Sequence, residues 1–418
     1  MISRRPDKEE VRGHTYTPPE DHTDGGTAVR TMSHEDYLGQ RRFPGLDGLR
    51  ALAATMVIFF HFGGPNWTWL SGWVGVYIFF VLSGFLITTL LLREQDRTSR
   101  ISLSNFYIRR VFRILPPYLV ILGGIVAFVL LRGEFFARDF PNALRFYLTF
   151  LNEFLPSYTN GTDNFFSGSW TLGIEEKFYL VWPFLLVFLG IGAAKRKFLL
   201  VGAAMVVLLA LVPVTTGGWL LNGANVPIYR STVHYFILAS GCLLAILMHY
   251  GRGYALLKPL THPLAAIPVV AGFLLFHTNL DSLWHATRMN LWLLVAYAAA
   301  TMLLLVVLVS PGPLRWLLGT APMRFVGERS YSLYLLQGPV HFVVIQAVPG
   351  LARNHTTSAV VVFLVGLAIA DLIHRWVEKP LIDVGKSLIA RKEARRAERT
   401  AARQPAGPRI EPEPAPVS

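Results

Sequence analysis

Residues 45–62 read GLDGLRALAATMVIFFHF, an apolar run that holds two ionisable groups, Arg50 and His61, with ten residues between them. In an α-helix a step of eleven residues returns to within about 20° of its starting direction and climbs about 16 Å, so the two side chains share a face. The run is long enough to cross a bilayer. An ionisable group at that depth raises the insertion free energy by about 2.5 to 3.5 kcal/mol, which makes both residues functional candidates rather than filler. Asp47 stands three residues before Arg50, a spacing that allows an ion pair on one helix face.

The rest of the chain has the same character. Of 418 residues, 53% are hydrophobic and 16% charged, with a mean hydropathy of +0.43, whereas a soluble domain carries about 25% charged residues. Apolar runs recur near 46–63, 74–92, 114–131, 170–190, 198–216, 230–250, 263–280, 290–309, 327–348 and 358–377. The expected fold is all-α, a polytopic membrane bundle of about ten transmembrane helices, with a short helical piece at 142–155 that does not span. An even number of crossings puts both termini on one side. Most of the 39 Lys and Arg then fall in the loops and tails of that side, so the positive-inside rule makes both termini cytoplasmic. That bias accounts for the net charge of +13 without nucleic acid.

Three segments follow. Residues 1–40 are a polar cytoplasmic tail, expected to be disordered, without the apolar core of a secretory signal. Residues 41–384 form the membrane domain, and 385–418 a second cytoplasmic tail. The stretch KSLIARKEARRAERTAAR (386–403) is basic and helix-prone, suited to lying on anionic membrane lipid; the Pro-rich end is expected to be disordered. The single cysteine, Cys242, lies in an apolar stretch and is expected as a packed thiol. Trp67, Trp69, Trp73, Trp219 and Trp284 fall at expected outer loops, where interfacial anchors belong. No metal-ligand pattern is expected.

Further polar residues gather in the other crossings. VGVYIFFVLSGFLITTLLL (74–92) is interrupted by Ser83 and Gly84, small residues that permit close helix packing; a nucleophilic Ser83 is the lesser reading, because no base stands beside it in sequence. NFYIRRVFRILPPYLV (105–120) places Arg110 and Arg113 on one helical face beside Arg109. Paired guanidinium forks suit phosphate groups. GSWTLGIEEKFYLVWP (168–183) brings Glu175 and Glu176 to the outer side, one as a candidate partner for His61 or a hydroxylated acceptor. GERSYSLYLLQGPVH (327–341) carries Ser330, Tyr331, Ser332, Tyr334, Gln337 and His341 along one crossing, and HRWVEKP (374–380) ends the last helix at Glu378, where Pro380 suffices as the reason.

Together these segments resemble the acyltransferase 3 family of bacterial integral-membrane O-acyltransferases, from about Phe43 to Asp383. Arg50 and His61 match its Arg/Lys and His ten residues apart, FFVLSGFLI its second segment, Arg110 and Arg113 its Arg-x-x-Arg motif, SWTLGIEEKFYL its Trp-Ser-Leu-x-x-Glu-x-x-Phe-Tyr segment with Glu175 at the motif glutamate, and SYSLYLLQGP its Ser-Tyr-x-x-Tyr-Leu-x-His-x-Pro segment. Gln337 replaces the histidine of that last segment. His341, one turn on, is the nearest substitute.

The resemblance implies a multi-pass protein of the bacterial inner (plasma) membrane that takes an acyl group, usually acetyl, from cytoplasmic acyl-CoA as co-substrate, with no bound cofactor. The acceptor is a hydroxyl on a carbohydrate, a lipid or a secondary metabolite, with a surface polysaccharide or a macrolide-type antibiotic as the two choices weighed. On this reading Arg110 and Arg113 grip the donor phosphates, Arg50 steadies the donor farther in, His61 is general base or transient acyl carrier, and Glu175 orients His61 or the acceptor. The chain runs only about forty residues past its last expected crossing, so no appended hydrolase-like domain is expected. Two other classes remain: a transporter or exporter of a glycan or small molecule, for which the halves show no self-similarity, and a scaffold acting through its basic tail, which leaves Arg50 and His61 unexplained.

Overall fold

The computed structural model describes residues 30–135, 140–155, 166–188, 194–216, 231–287 and 290–403. The expected disorder of residues 1–29 and of the Pro-rich C-terminal end, and the placing of Trp219, lie outside the described residues. Among the described residues every regular element is helical.

α1 (His34–Gly39) is closed by a capping box between Ser33 and Asp36, in which the serine hydroxyl and the aspartate carboxylate satisfy otherwise open backbone N–H groups. Tyr37 is buried in the main core, and burial pushes its phenol up to about 12. The folded domain therefore begins before residue 41, earlier than composition indicates, because one aromatic side chain anchors a segment that is otherwise polar.

α2 (Pro44–Phe62) and α3 (Gly75–Thr98) are antiparallel. Phe43, just before α2, packs its ring, tilted, 5.9 Å from Phe85, while Gly75 lies against Ala53 and Val57. α4 (Leu103–Leu131) follows, then α5 (Phe140–Leu148), which is too short to span, as expected. α6 (Trp170–Phe188) runs alongside α3 in the same direction: the Trp170 ring lies 6.4 Å from Phe80, and Trp182 Nε1 donates to Thr88 Oγ1 at 2.9 Å. α7 (Ala194–Ala210) and α8 (Val233–His249) come next, and the chain bends by 104° into α9 (Gly251–Leu257). α10 (Ala266–Ala286), α11 (Asn290–Val309), α12 (Pro313–Leu318), α13 (Ala321–Ala347), α14 (His355–Ile373) and α15 (Lys379–Arg403) complete the fold.

Six of these stretches are long and apolar enough to cross a membrane, or seven if the bent α8–α9 segment is one span, against the ten expected. Helices occupy the remaining expected positions too, but α7 has 17 residues, α6 carries Glu175, Glu176 and Lys177, and α13 carries Ser330, Ser332 and Gln337 on a buried face. Glu175 and Ser330 reach the cavity described below, and Lys177 pairs with the buried Glu153, so much of this polarity is turned to the protein interior, where it belongs in a membrane protein. The described residues are thus those of an all-helical, multi-pass membrane protein.

Two close crossings set the core. A Cβ on Gly84 would lie 2.0 Å from the carbonyl oxygen of Leu238, and one on Gly241 would lie 2.1 Å from that of Val81; α3 and α8 touch backbone to backbone, as the Ser83–Gly84 pair suggests. Cys242 is a buried free thiol beside this contact, 3.5 Å from the Gly84 carbonyl. Likewise a Cβ on Gly327 would fall 1.9 Å from the Asp47 carbonyl, which brings α13 onto the start of α2.

The last helix does not end at Glu378. A π turn, His374–Glu378, joins α14 to α15 without a break. The widened turn opens the hydrogen-bond ladder just where Pro380 has no N–H to give, so the proline is absorbed instead of terminating the helix.

Candidate active site

α2, α3, α4, α6, α13 and the α14–α15 junction enclose a cavity of about 580 Å³. Along α3 its lining runs from Val76 to Arg93, 17 residues or about 25 Å of helix. Eight Arg and Lys side chains against five Asp and Glu line it, so it favours an anion.

Arg50, Arg110, Arg113 and Glu175 all reach this cavity. Arg50 Nη1 is 3.4 Å from Asp47 Oδ1, the ion pair expected from their spacing. The Arg110 guanidinium lies 4.6 Å from the centre of the Tyr179 ring and within electrostatic reach of Glu175 and Arg113; Arg113 is in reach of Arg50 and Glu378. Glu175 Oε1 accepts a hydrogen bond from Ser83 Oγ at 2.7 Å. Glu176 does not line the cavity. Its neighbour Lys177 instead makes a 2.6 Å ion pair with the buried Glu153 and donates to the Phe150 carbonyl at 2.8 Å, which ties α6 to the turn after α5.

Glu175 is therefore with the arginines and apart from His61, contrary to the expected grouping. The reason is the depth at which α6 starts. Trp170 sits beside Phe80, already inside α3, so five residues later Glu175 reaches Ser83, at the level of Asp47 and Arg50. His61 lies at the other end of α2. It is exposed and is not among the lining residues. Since Gly75 meets α2 at Ala53 and Val57, His61 stands about 6 to 12 Å beyond the outermost α3 residue of the lining. Its rise of about 16 Å above Arg50 on one face is kept; the cavity as enclosed stops short of it, under Val76, Phe79, Phe80 and Tyr334.

Two neighbouring positions are resolved differently. His341 stacks on Phe62 with ring centres 4.1 Å apart, at the His61 end. Gln337 is buried, with neither amide atom hydrogen-bonded among the described residues.

Sequence reasoning holds a nucleophilic Ser83 as the lesser reading, takes Glu378 as a helix end and gives His374 no role. Ser83 gains its carboxylate from a helix 92 positions away. His374 Nδ1 lies 2.8 Å from Glu378 Oε2, and Ser332 Oγ donates to the same carboxylate; His374 and Glu378 both line the cavity, on the π turn. Such turns are frequent at functional sites. Arg41, Arg42, Lys379 and Lys386 line the end nearer α1. A local signal existed only for Ser83, in the polar break of an apolar helix.

The cavity is cationic and bears carboxylates, so it suits an anionic ligand. A family model described as an acyltransferase domain, acyltransferase 3, matches residues 43–375, and the chain belongs to that family. It is 31% identical over 373 residues to YrhL of Bacillus subtilis (84% of this chain, 57% of that protein). It is 30% identical over 368 residues to the peptidoglycan O-acetyltransferase OatA of Listeria monocytogenes (84% and 57%), and 27% identical over 360 residues to the O-acetyltransferase OatA of Staphylococcus aureus (83% and 58%). The chain thus spans less than two thirds of the length of these relatives. No solved structure matches it.

Proposed function

We propose that this chain moves an acyl group, acetyl in the first instance, from cytoplasmic acyl-CoA to a hydroxyl of a carbohydrate or a glycosylated metabolite at the bacterial inner (plasma) membrane. The observation that carries the reading is the convergence of Arg50, Arg110 and Arg113 on one cavity beside the hydrogen-bonded Ser83 and Glu175. Three guanidinium groups suit a ligand with several phosphate oxygens, held by charge-assisted bonds. In the transfer, the acceptor oxygen bonds to the acyl carbon, the carbon–sulfur bond breaks, and the acceptor proton ends on the CoA sulfur. His61 is the group suited to take that proton, since neutral imidazole is a base near physiological pH. Its place on the Arg50 face, toward the opposite end of α2, fits an extended thioester whose phosphates stay with the arginines. Glu175 then serves the donor end, steadying Ser83 and the Arg110 guanidinium.

The acceptor class follows the relatives' names. The OatA of Listeria monocytogenes is named for peptidoglycan, which places a cell-wall glycan ahead of the surface polysaccharide and the macrolide-type antibiotic among the acceptors to test. The purified chain in lipid nanodiscs, given acetyl-CoA and each acceptor in turn, is expected to release free CoA thiol only with its acceptor, and Arg110→Ala to slow that release. Acceptor-independent release, or none with any glycan or glycosylated metabolite, would contradict the reading.

A further inference from the structure

The segment Gln40–Phe43 is pinned on both sides of two free arginines. The Gln40 carbonyl accepts from Arg93 Nη1, and its Nε2 donates to the Val309 carbonyl at 3.1 Å. Phe43 packs its ring 5.9 Å from Phe85 and 5.1 Å from the Arg93 guanidinium. Arg41 and Arg42, between these anchors, are exposed, line the cavity mouth and make no ion pair or hydrogen bond among the described residues. Asp47 is in electrostatic reach of Arg42.

Across the mouth, one face of α15 contributes Lys379, Asp383 and Lys386; Asp383 pairs with Lys386 at 2.8 Å. Among the described residues the unpaired cations at the mouth are thus Arg41, Arg42 and Lys379, and Lys379 stands within electrostatic reach of Asp383. Arg42 precedes the N-terminus of α2, and Arg50 lies in its second turn, so about 10 Å of chain along the helix axis separates the mouth cations from the inner cluster. Two cation clusters on one cavity call for a ligand with two separate anionic groups.

We propose that Arg41 and Arg42 form a phosphomonoester subsite, which binds the ribose 3′-phosphate of the donor while Arg50, Arg110 and Arg113 hold its pyrophosphate. This rests on the acyl-CoA reading of the cavity. The pinned backbone fixes where the two side chains start, so no loop has to be ordered on binding and only the arginine rotamers are immobilised. The subsite makes the enzyme selective for the full coenzyme over a donor that lacks the 3′-phosphate. A headgroup phosphate of an anionic lipid has the same chemistry and is the competing occupant.

The test compares acetyl-CoA with 3′-dephospho-acetyl-CoA on the full chain in nanodiscs, and the binding of CoA with that of dephospho-CoA. The wild type is expected to prefer acetyl-CoA in kcat/KM by about tenfold or more, mostly through KM, as charge-assisted phosphate bonds imply. In Arg41→Gln/Arg42→Gln the ratio is expected to fall to near one. A wild-type ratio near one overturns the subsite even if the double variant fails to fold, and so does a ratio unchanged in a folded variant. A KM that follows the anionic-lipid content of the disc, with both donors used alike, assigns the arginines to lipid and also overturns it. Selective loss of this ratio leaves the acyl-CoA reading intact; failure of both CoA and dephospho-CoA to bind removes that reading and the subsite with it.

Discussion

Ser83 Oγ and Glu175 Oε1 meet at 2.7 Å across the facing sides of α3 and α6, and this contact fixes where the carboxylate of the candidate site stands. Removing the hydroxyl by Ser83→Ala withdraws a hydrogen bond to a charged group, worth about 1.5 to 3 kcal/mol. The expected result is a fall in kcat/KM for acetyl transfer of about ten- to a hundredfold. Ser83→Thr, which keeps the hydroxyl, is expected to recover part of it; equal loss in both variants would point to crowding of the helix contact instead.

The Glu153 carboxylate is 2% exposed and depends on Lys177 for its only ion pair among the described residues. Lys177→Met leaves that charge buried without compensation, at about 3 to 5 kcal/mol. A marked drop in thermal unfolding temperature in detergent is expected, relieved in Glu153→Gln/Lys177→Met. A lone Lys177→Met protein as stable as the wild type would remove the ion pair from the account.

Close helix contact at Gly84 contrasts with open space at Gly123, where an added Cβ meets nothing within 4 Å. Gly84→Val is expected to abolish folded protein in size-exclusion chromatography. Gly123→Ala, in the interior of α4, is expected to be neutral or to stabilise by up to about 1 kcal/mol. The reverse order would contradict the α3–α8 packing.

Arg93 holds α1 through the carbonyls of Tyr37 and Gln40 and through the faces of Tyr37 and Phe43. Arg93→Ala is expected to expose the segment to limited proteolysis between residues 30 and 42 while the rest of the chain stays resistant. Unchanged resistance there would show that Tyr37 burial alone secures it.

Local spacing made part of this site legible. Asp47 and Arg50 are three apart and do pair; Arg110 and Arg113 do share a face, while the choice of Glu175 over Glu176 comes from the motif resemblance and not from spacing. Contacts that join distant segments were not legible in this way. Nothing near Ser83 announces Glu175, and nothing near Glu153 announces Lys177. The depth of Glu175 depends on where α6 begins, which is set by Trp170 packing on Phe80 and not by the hydropathy of α6. Pro380 is an ordinary stop signal in sequence, but the π turn accommodates it. Hydropathy also misjudges helices such as α6 and α13, whose polar faces line the interior.

In the proposed function, acetyl passes from CoA held by the arginine cluster to an acceptor activated at His61, two groups about 16 Å apart on one face of α2. Transfer of labelled acetyl from acetyl-CoA in membranes, measured with CoA binding in the same preparations, tests it most directly. His61→Ala is expected to lose transfer while still binding CoA, and Arg113→Ala to weaken CoA binding. Full transfer by His61→Ala, or undiminished CoA binding by Arg113→Ala, would contradict the account.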